Sequence, residues 1–319
     1  MIDLNLLRTQ RFLGLGCSTF GGSAATGVAK ISLAKAFDQG IVYFDVARSY
    51  GYGQAEGIVG QFAQGKRDKM IIASKFGISP PPIPFKSLVL WGMRNIRKAL
   101  PASRQTLAKA GVNALTKTQF TPQAAQSSLQ TSLRELKTDY IDLFLLHESY
   151  YADCLRDDIR EVLERAKEKG QIRAWGATLG ERGCLQRQLS SSPLLEAVQF
   201  PFGQDTTYAQ ALGSATAIPI VYSVLNYYKS SGLLGRGDVL AEIKADFPGL
   251  HFINTLPELL LYLAFHQLQA GVMLSSMTTA NNIDRNIFLF TECTRASPAE
   301  MQAVQTRLKS AMHLAPEMV

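Results

Sequence analysis

Short apolar runs alternate with amphipathic stretches along this chain, which is the sequence form of repeated βα units. Residues 13–16 read as a first strand and 28–38 as the helix after it. A second strand over 41–44 ends at Asp45, with a helix over 55–63, and a third over 69–74 ends at Lys75. Thr121 before Pro122 marks a helix start, a good cap followed by a first-turn proline, and the helix runs to Leu136. A fourth strand over 141–146 ends at His147, and a charged helix over 155–169 stops at Gly170, where a left-handed C-cap fits. Strands follow at 172–177, 197–199, 218–222 and 271–274, the seventh interrupted by Pro219 and the eighth followed by a helix through Asn286.

Eight such strands with helices between them predict a closed (β/α)₈ TIM barrel in one domain over residues 1–319. No G-x-G-x-x-G joins a strand to a helix, which turns the choice away from an open doubly wound sheet. Two connections are too long for bare loops, 77–120 after the third strand and 223–255 after the seventh. Insertions after barrel strands lie over the C-terminal mouth. In the first of them Phe85, Leu88, Leu90 and Trp91 are candidates for a hydrophobic wall or for a helix face packed on the barrel.

Composition changes this picture little. With 46% hydrophobic and 18% charged residues the chain has ample material for a core. No apolar run is long enough to span a bilayer, and the start Met1-Ile2-Asp3-Leu4 lacks the basic and apolar segments of a secretory signal, so a cytoplasmic protein without a membrane partner is expected. Cys17, Cys154, Cys184 and Cys293 are far apart, with no C-x-x-C pair and no histidines at ligand spacing, so neither a disulfide framework nor a metal site is expected. The net charge of +7 gathers in a stretch holding Lys86, Arg94, Arg97, Lys98, Arg104, Lys109 and Lys117, with no acid between Lys75 and Glu135. Interleaved aromatics of a single-strand binder are missing from it, which argues against nucleic acid and leaves solvent-facing cations or an anionic ligand.

Asp45, Lys75 and His147 each end an otherwise apolar strand. Singly, each has a structural explanation: a solvated lysine, a hydrogen-bonded histidine, an aspartate capping a turn. Together at one barrel mouth they suit carbonyl reduction. Hydride delivery to a carbonyl carbon leaves a developing alkoxide that needs a proton and positive potential. A tyrosine, with an ordinary pKa of about 10, becomes a better acid beside an ammonium, and a carboxylate holds that ammonium. An imidazole orients the carbonyl oxygen.

The segment 44–56, FDVARSYGYGQAE, resembles the first signature of the aldo-keto reductase family, in which an Asp and a Tyr five residues later face the site. The segment 71–77, IIASKFG, is similar to that around the family's lysine, and 132–147, SLRELKTDYIDLFLLH, resembles its second signature. The likeness continues through GQIRAWG at 170–176 to the helix ending near Asn286. It implies that Tyr50 is the general acid, that Lys75 lowers its pKa, that Asp45 pairs with Lys75 and that His147 orients the carbonyl. It implies NADPH or NADH as cofactor, with Thr178 and Gln199 on the carboxamide and Tyr222 against the nicotinamide. Ser223 and Leu225 match the pyrophosphate loop, and Ser276, Thr278, Asn282 and Asn286 the adenosine-phosphate end. Leu179 stands where the family usually has an Asn, and Asn282 where an Arg commonly grips the 2′-phosphate.

The substrate class so implied is a small aldehyde, ketone, sugar carbonyl or the corresponding alcohol. A nicotinamide-nucleotide-binding regulatory subunit with little turnover is the alternative. A barrel glycosidase using Asp45 and Glu148 is weaker, because Lys75 has no role in that chemistry. Tyr150 and Tyr151, just past His147, are further candidates to line the pocket.

Overall fold

The computed structural model describes residues 1–80, 116–117, 120–179, 195–202, 217–230, 233 and 237–313. Eight parallel strands close into a barrel: β1 (Arg11–Gly16), β2 (Tyr43–Asp45), β3 (Ile71–Phe76), β4 (Ile141–Ser149), β5 (Ile172–Leu179), β6 (Ala197–Pro201), β7 (Ile218–Tyr222) and β8 (Gly271–Ser275). Each strand pairs with its sequence neighbours, and β1 closes the ring against β8 with Arg11 opposite Gly271. Pro219 is accommodated because pairing of β7 with β8 begins only at Ile220↔Val272, so its missing N–H leaves no gap in that ladder.

Helices α1 (Leu6–Thr9), α2 (Thr26–Asp38), α3 (Ala55–Ala63), α4 (Pro122–Leu136), α5 (Tyr151–Cys154), α6 (Asp157–Glu168), α7 (Val224–Ser230), α8 (Gly237–Asp246), α9 (Leu256–Gln267), α10 (Ala280–Glu292) and α11 (Pro298–His313) complete the described elements, together with short 3₁₀ turns. The Thr121 hydroxyl accepts from the Ala124 amide at 3.1 Å, as the Thr-Pro signal at the start of α4 predicts. Gly170 follows α6 with φ +70°, the left-handed turn expected there.

Side chains alternate along each strand between two cores. Tyr43, Ile71, Ala73, Leu143, Leu145, Ala174, Ala197, Ile218, Ile220, Val272 and Leu274 fill the barrel interior, with Leu7 of α1 plugging its floor. Phe44, Ile72, Phe144, Trp175, Val198 and Val221 face outward into the layer beneath the helices. This parity decides the site. Two residues beyond Tyr43, Ala73 and Leu145 stand Asp45, Lys75 and His147, so each points inward at the C-terminal end of its strand.

The two expected insertions differ in outcome. Only the ends of 77–120 are described, stapled by antiparallel pairing of Ile78 with Lys117 and Ser79 with Thr116. Phe85, Leu88, Leu90 and Trp91 and the cations from Lys86 to Lys109 lie outside the described residues. Within 223–255, α7 and α8 replace an irregular connection, and α9 follows at once. No helix among the described residues is long and apolar enough to cross a membrane.

Candidate active site

The ends of β2 and β3 bring Asp45 and Lys75 together below the barrel rim. Lys75 is fully buried and its Nζ donates to Asp45 Oδ1 at 2.6 Å and to the Val46 carbonyl at 3.1 Å. The second carboxylate oxygen accepts from Gln199 Nε2 at 3.3 Å, and Gln199 Oε1 accepts from the Thr178 hydroxyl at 2.9 Å. β5 and β6 therefore join the pair through one chain of polar contacts. Such a buried pair survives only because each charge is matched and hydrogen-bonded.

Tyr50 opens the 3₁₀ turn Tyr50–Gly53 just past β2. Gly51 and Tyr52 both take left-handed backbone, with φ of 56° and 57°, and a Cβ on Gly51 would collide with the Phe20 carbonyl. That turn sets the Tyr50 ring edge-on to His147, with centroids 5.7 Å apart, and Lys75 Nζ lies 4.8 Å from the Tyr50 centroid. Behind β3, Ser74 donates to the buried Glu56 at 2.6 Å, and Arg48 Nε stands 3.6 Å from the same carboxylate. The loop carrying Tyr50 is thereby tied to the strand carrying Lys75.

Burial pushes the Asp45 carboxyl up and the Lys75 ammonium down, while their mutual bond opposes both shifts. Tyr50 lies well above the ordinary tyrosine range, through burial first and then the charge of Asp45. The Asp45 carboxylate, itself bonded to Lys75, adds to the upward push of burial. Tyr50 is accordingly a firmly protonated donor.

A cavity of about 320 Å³ opens over these groups. Of the residues singled out in the sequence, Asp45, Tyr50, His147, Thr178, Gln199, Tyr222, Ser223, Leu225 and Ser276 line it. Thr278, Asn282 and Asn286 do not. Asn282 is exposed on the first turn of α10, its amide bonded to the Thr279 hydroxyl, and Asn286 is buried with its amide on Ser275 Oγ at 2.8 Å. Leu179 is buried, and its carbonyl accepts from the Tyr222 hydroxyl at 3.5 Å. Tyr150 is exposed and outside the lining, while the Tyr151 side chain lies outside what is described.

Sequence reasoning missed Gly16, Ser18, Val224, Asn226 and Leu261 in the lining. Gly16 was in plain view as the end of the first apolar run. Leu261 comes from α9, whose start carries a Thr255-Leu256-Pro257-Glu258 capping signal that could have revealed it. Of the four non-glycine residues with positive φ among the described residues, Tyr52, Glu148 and Ser223 sit beside Tyr50, His147 and Tyr222, and Lys137 caps α4. Left-handed backbone on ordinary residues gathers where function over-determines geometry.

Comparison with known proteins follows the same residues. The profile of the Aldo/keto reductase family matches residues 12–181, more than half of the chain. Aldo-keto reductase YhdN of Bacillus subtilis is 29% identical over 174 residues, covering 52% of this chain and 42% of that protein. The chain thus spans less than half the length of that relative. Methylglyoxal reductase YeaE of Escherichia coli is 23% identical over 275 residues, covering 82% of this chain and 78% of its own. Among solved structures, aldo-keto reductase AKR11C1 from Bacillus halodurans superposes with a TM-score of 0.63 at 22% identity, covering 92% of this chain and 91% of its own. An aldo/keto reductase from Klebsiella pneumoniae, in complex with NADP and acetate, gives 0.61 at 19% identity, covering 92% and 90%. At those identities the solved structures share the barrel fold.

Proposed function

The chain belongs to the aldo/keto reductase family, and from that premise we propose that it transfers a hydride between NADPH or NADH and a small aldehyde, ketone or sugar carbonyl. One observation carries the proposal: the buried Lys75–Asp45 pair, the Tyr50 ring and His147 converge beneath a single cavity. A paired-carboxylate arrangement would need two free acids, and of the two carboxylates in the lining Asp45 is taken up by Lys75.

The lining fits a nicotinamide. Tyr222 offers an aromatic wall, and Thr178 and Gln199 offer a hydroxyl and an amide suited to a carboxamide. When bound, the reduced nicotinamide supplies the hydride. Tyr50 gives its hydroxyl proton to the carbonyl oxygen, on which negative charge develops. Lys75, fixed by Asp45, keeps a positive charge against the Tyr50 ring and stabilises the phenolate left behind. His147, edge-on to Tyr50, positions the carbonyl oxygen for that proton. In the oxidative direction Tyr50 takes the proton back. We place the protein in the cytoplasm, with a small carbonyl or alcohol as its partner.

Separate titrations with NADH and NADPH, then a carbonyl panel followed by loss of reduced-nicotinamide absorbance, test this. Binding of one cofactor and turnover of at least one carbonyl are expected. Firm binding with no turnover on any carbonyl would favour the regulatory subunit, and binding of neither would overturn the proposal.

A further inference from the structure

Strand alternation should turn Glu148 away from the cavity. In β4, Leu143, Leu145 and His147 face inward while Phe144 and Leu146 face the helices, so the next residue belongs with the outward set. Instead Glu148 lines the cavity beside Tyr50 and His147. The pairing with β5 explains this: Leu146 stands opposite Ala177, but Ser149 stands opposite Leu179, so β4 carries one extra residue. Glu148 occupies that bulge with φ +51°. Bulges beside active sites re-aim side chains, and here the bulge also returns Ser149 to a buried position, with its hydroxyl toward the Thr178 carbonyl at 3.5 Å.

The charge so delivered is unusual for its place. Asp45 is the other charged residue of the lining, and Lys75 neutralises it. Among the described residues, Glu148 has no ion pair and no hydrogen bond to its carboxylate, and it is exposed toward the cavity opening. Its charge reaches Tyr50, adding to the influences that hold the phenol protonated. A left-handed backbone on a residue without a structural partner calls for a partner that arrives with the substrate.

We propose that Glu148 is a specificity-determining residue that accepts a hydrogen-bond donor or cation on the substrate, a hydroxyl or an ammonium, and turns away carbonyl compounds bearing a carboxylate. This rests on the reductase reading above and names the substrate class within it. The carboxylate lines the same cavity as Tyr50 and His147, so it acts on other substituents of the molecule whose carbonyl those residues hold.

The test compares kcat/KM for benzaldehydes carrying a 4-trimethylammonio, 4-hydroxymethyl, 4-methyl or 4-carboxylate group, in the unaltered protein and in Glu148→Gln and Glu148→Lys. For an exposed charge in water, the cationic aldehyde should be favoured over the carboxylate by roughly ten-fold at low salt, less as salt is added. Glu148→Gln should bring that ratio close to unity and Glu148→Lys should invert it. A hydroxymethyl preference over methyl that disappears in Glu148→Gln identifies the hydroxyl as the natural donor, and a preference confined to the trimethylammonio compound identifies the cation. Turnover with the same ratio in all three proteins would overturn the assignment of Glu148 alone. Absence of turnover on every aldehyde, with neither nicotinamide bound, would overturn the reductase reading beneath it.

Discussion

Each end of the barrel buries a carboxylate against cations, and the two are used differently. At the N-terminal end Asp142 accepts from Arg67 at 2.7 Å, from Arg173 at 2.7 Å and from the Ile72 amide at 2.8 Å. The spare N–H groups of those arginines go to the carbonyls of Met70, Tyr140 and Ile2, and the Arg67 guanidinium lies 3.9 Å from the Tyr140 centroid. Both carboxylate oxygens of Asp142 are thus taken up within the protein. At the C-terminal end Lys75 meets Asp45 at 2.6 Å, but the groups around them, Tyr50, His147, Thr178 and Gln199, face a cavity. The bond lengths and the burial of the carboxylate are nearly the same at both ends. What separates a clamp from a site is where the remaining hydrogen-bonding capacity points.

If that is right, activity and stability should come apart between the two ends. Tyr50→Phe should lower carbonyl turnover by about 10²–10⁴-fold while leaving thermal unfolding nearly unmoved, because it removes a proton donor and little packing. A matching loss of melting temperature would break the contrast. Asp142→Ala should cost up to about 3 kcal/mol in denaturant unfolding, since it leaves a buried amide and two partly exposed guanidinium groups without their shared acceptor. Turnover per folded molecule should hold steady; a large fall in it would mean that the lower clamp also shapes the site.

A smaller effect probes the upper pair alone. Lys75→Met strands a buried Asp45, and a Lys75→Met/Asp45→Leu double variant removes both charges. The double should recover about 1–3 kcal/mol relative to the sum of its singles, with activity absent throughout. Additive losses would show that the pair is not coupled. Smallest is the pH response. Tyr50 is shifted upward by burial and by Asp45, so its proton persists in the folded state beyond the ordinary range. The proton-dependent step of reduction should therefore show no tyrosine limb below about pH 10. Above that value the unfolded chain releases the proton while the fold retains it, so stability should decline as pH rises further. A loss of rate near neutrality that Tyr50→Phe abolishes would contradict the shift.

Much of this was legible in the chain itself. Asp45, Lys75 and His147 announced themselves because a polar residue at the end of an apolar strand has few places to go, and strand parity then sends all of them inward. Helix α4 was marked by Thr121 and Pro122, whose caps act locally. Helix α9 was harder, because Leu259 through Phe265 are all buried and leave no amphipathic period to read. Nothing local marks the bulge at Glu148: an extra residue exists only relative to the neighbouring strand, so the re-aiming of that side chain is a property of the pairing. The upward shift of the Tyr50 pKa was likewise invisible, since it depends first on how completely Tyr50 is buried and then on the Asp45 charge beside it.

The closure of the ring by β1 and β8 has a consequence for how this protein is made. Arg11 finds its partner at Gly271, and the Gly271 amide bonds to the Gln10 carbonyl. During synthesis at about 5–20 residues per second, β1 has β2 on one side and no barrel strand on the other until β8 has left the ribosome. Leu7, which plugs the floor, has no finished floor to plug in that interval. Within the barrel, the first strand in chain order is among the last to be fully paired. The nascent barrel therefore keeps this seam open until its eighth strand is made.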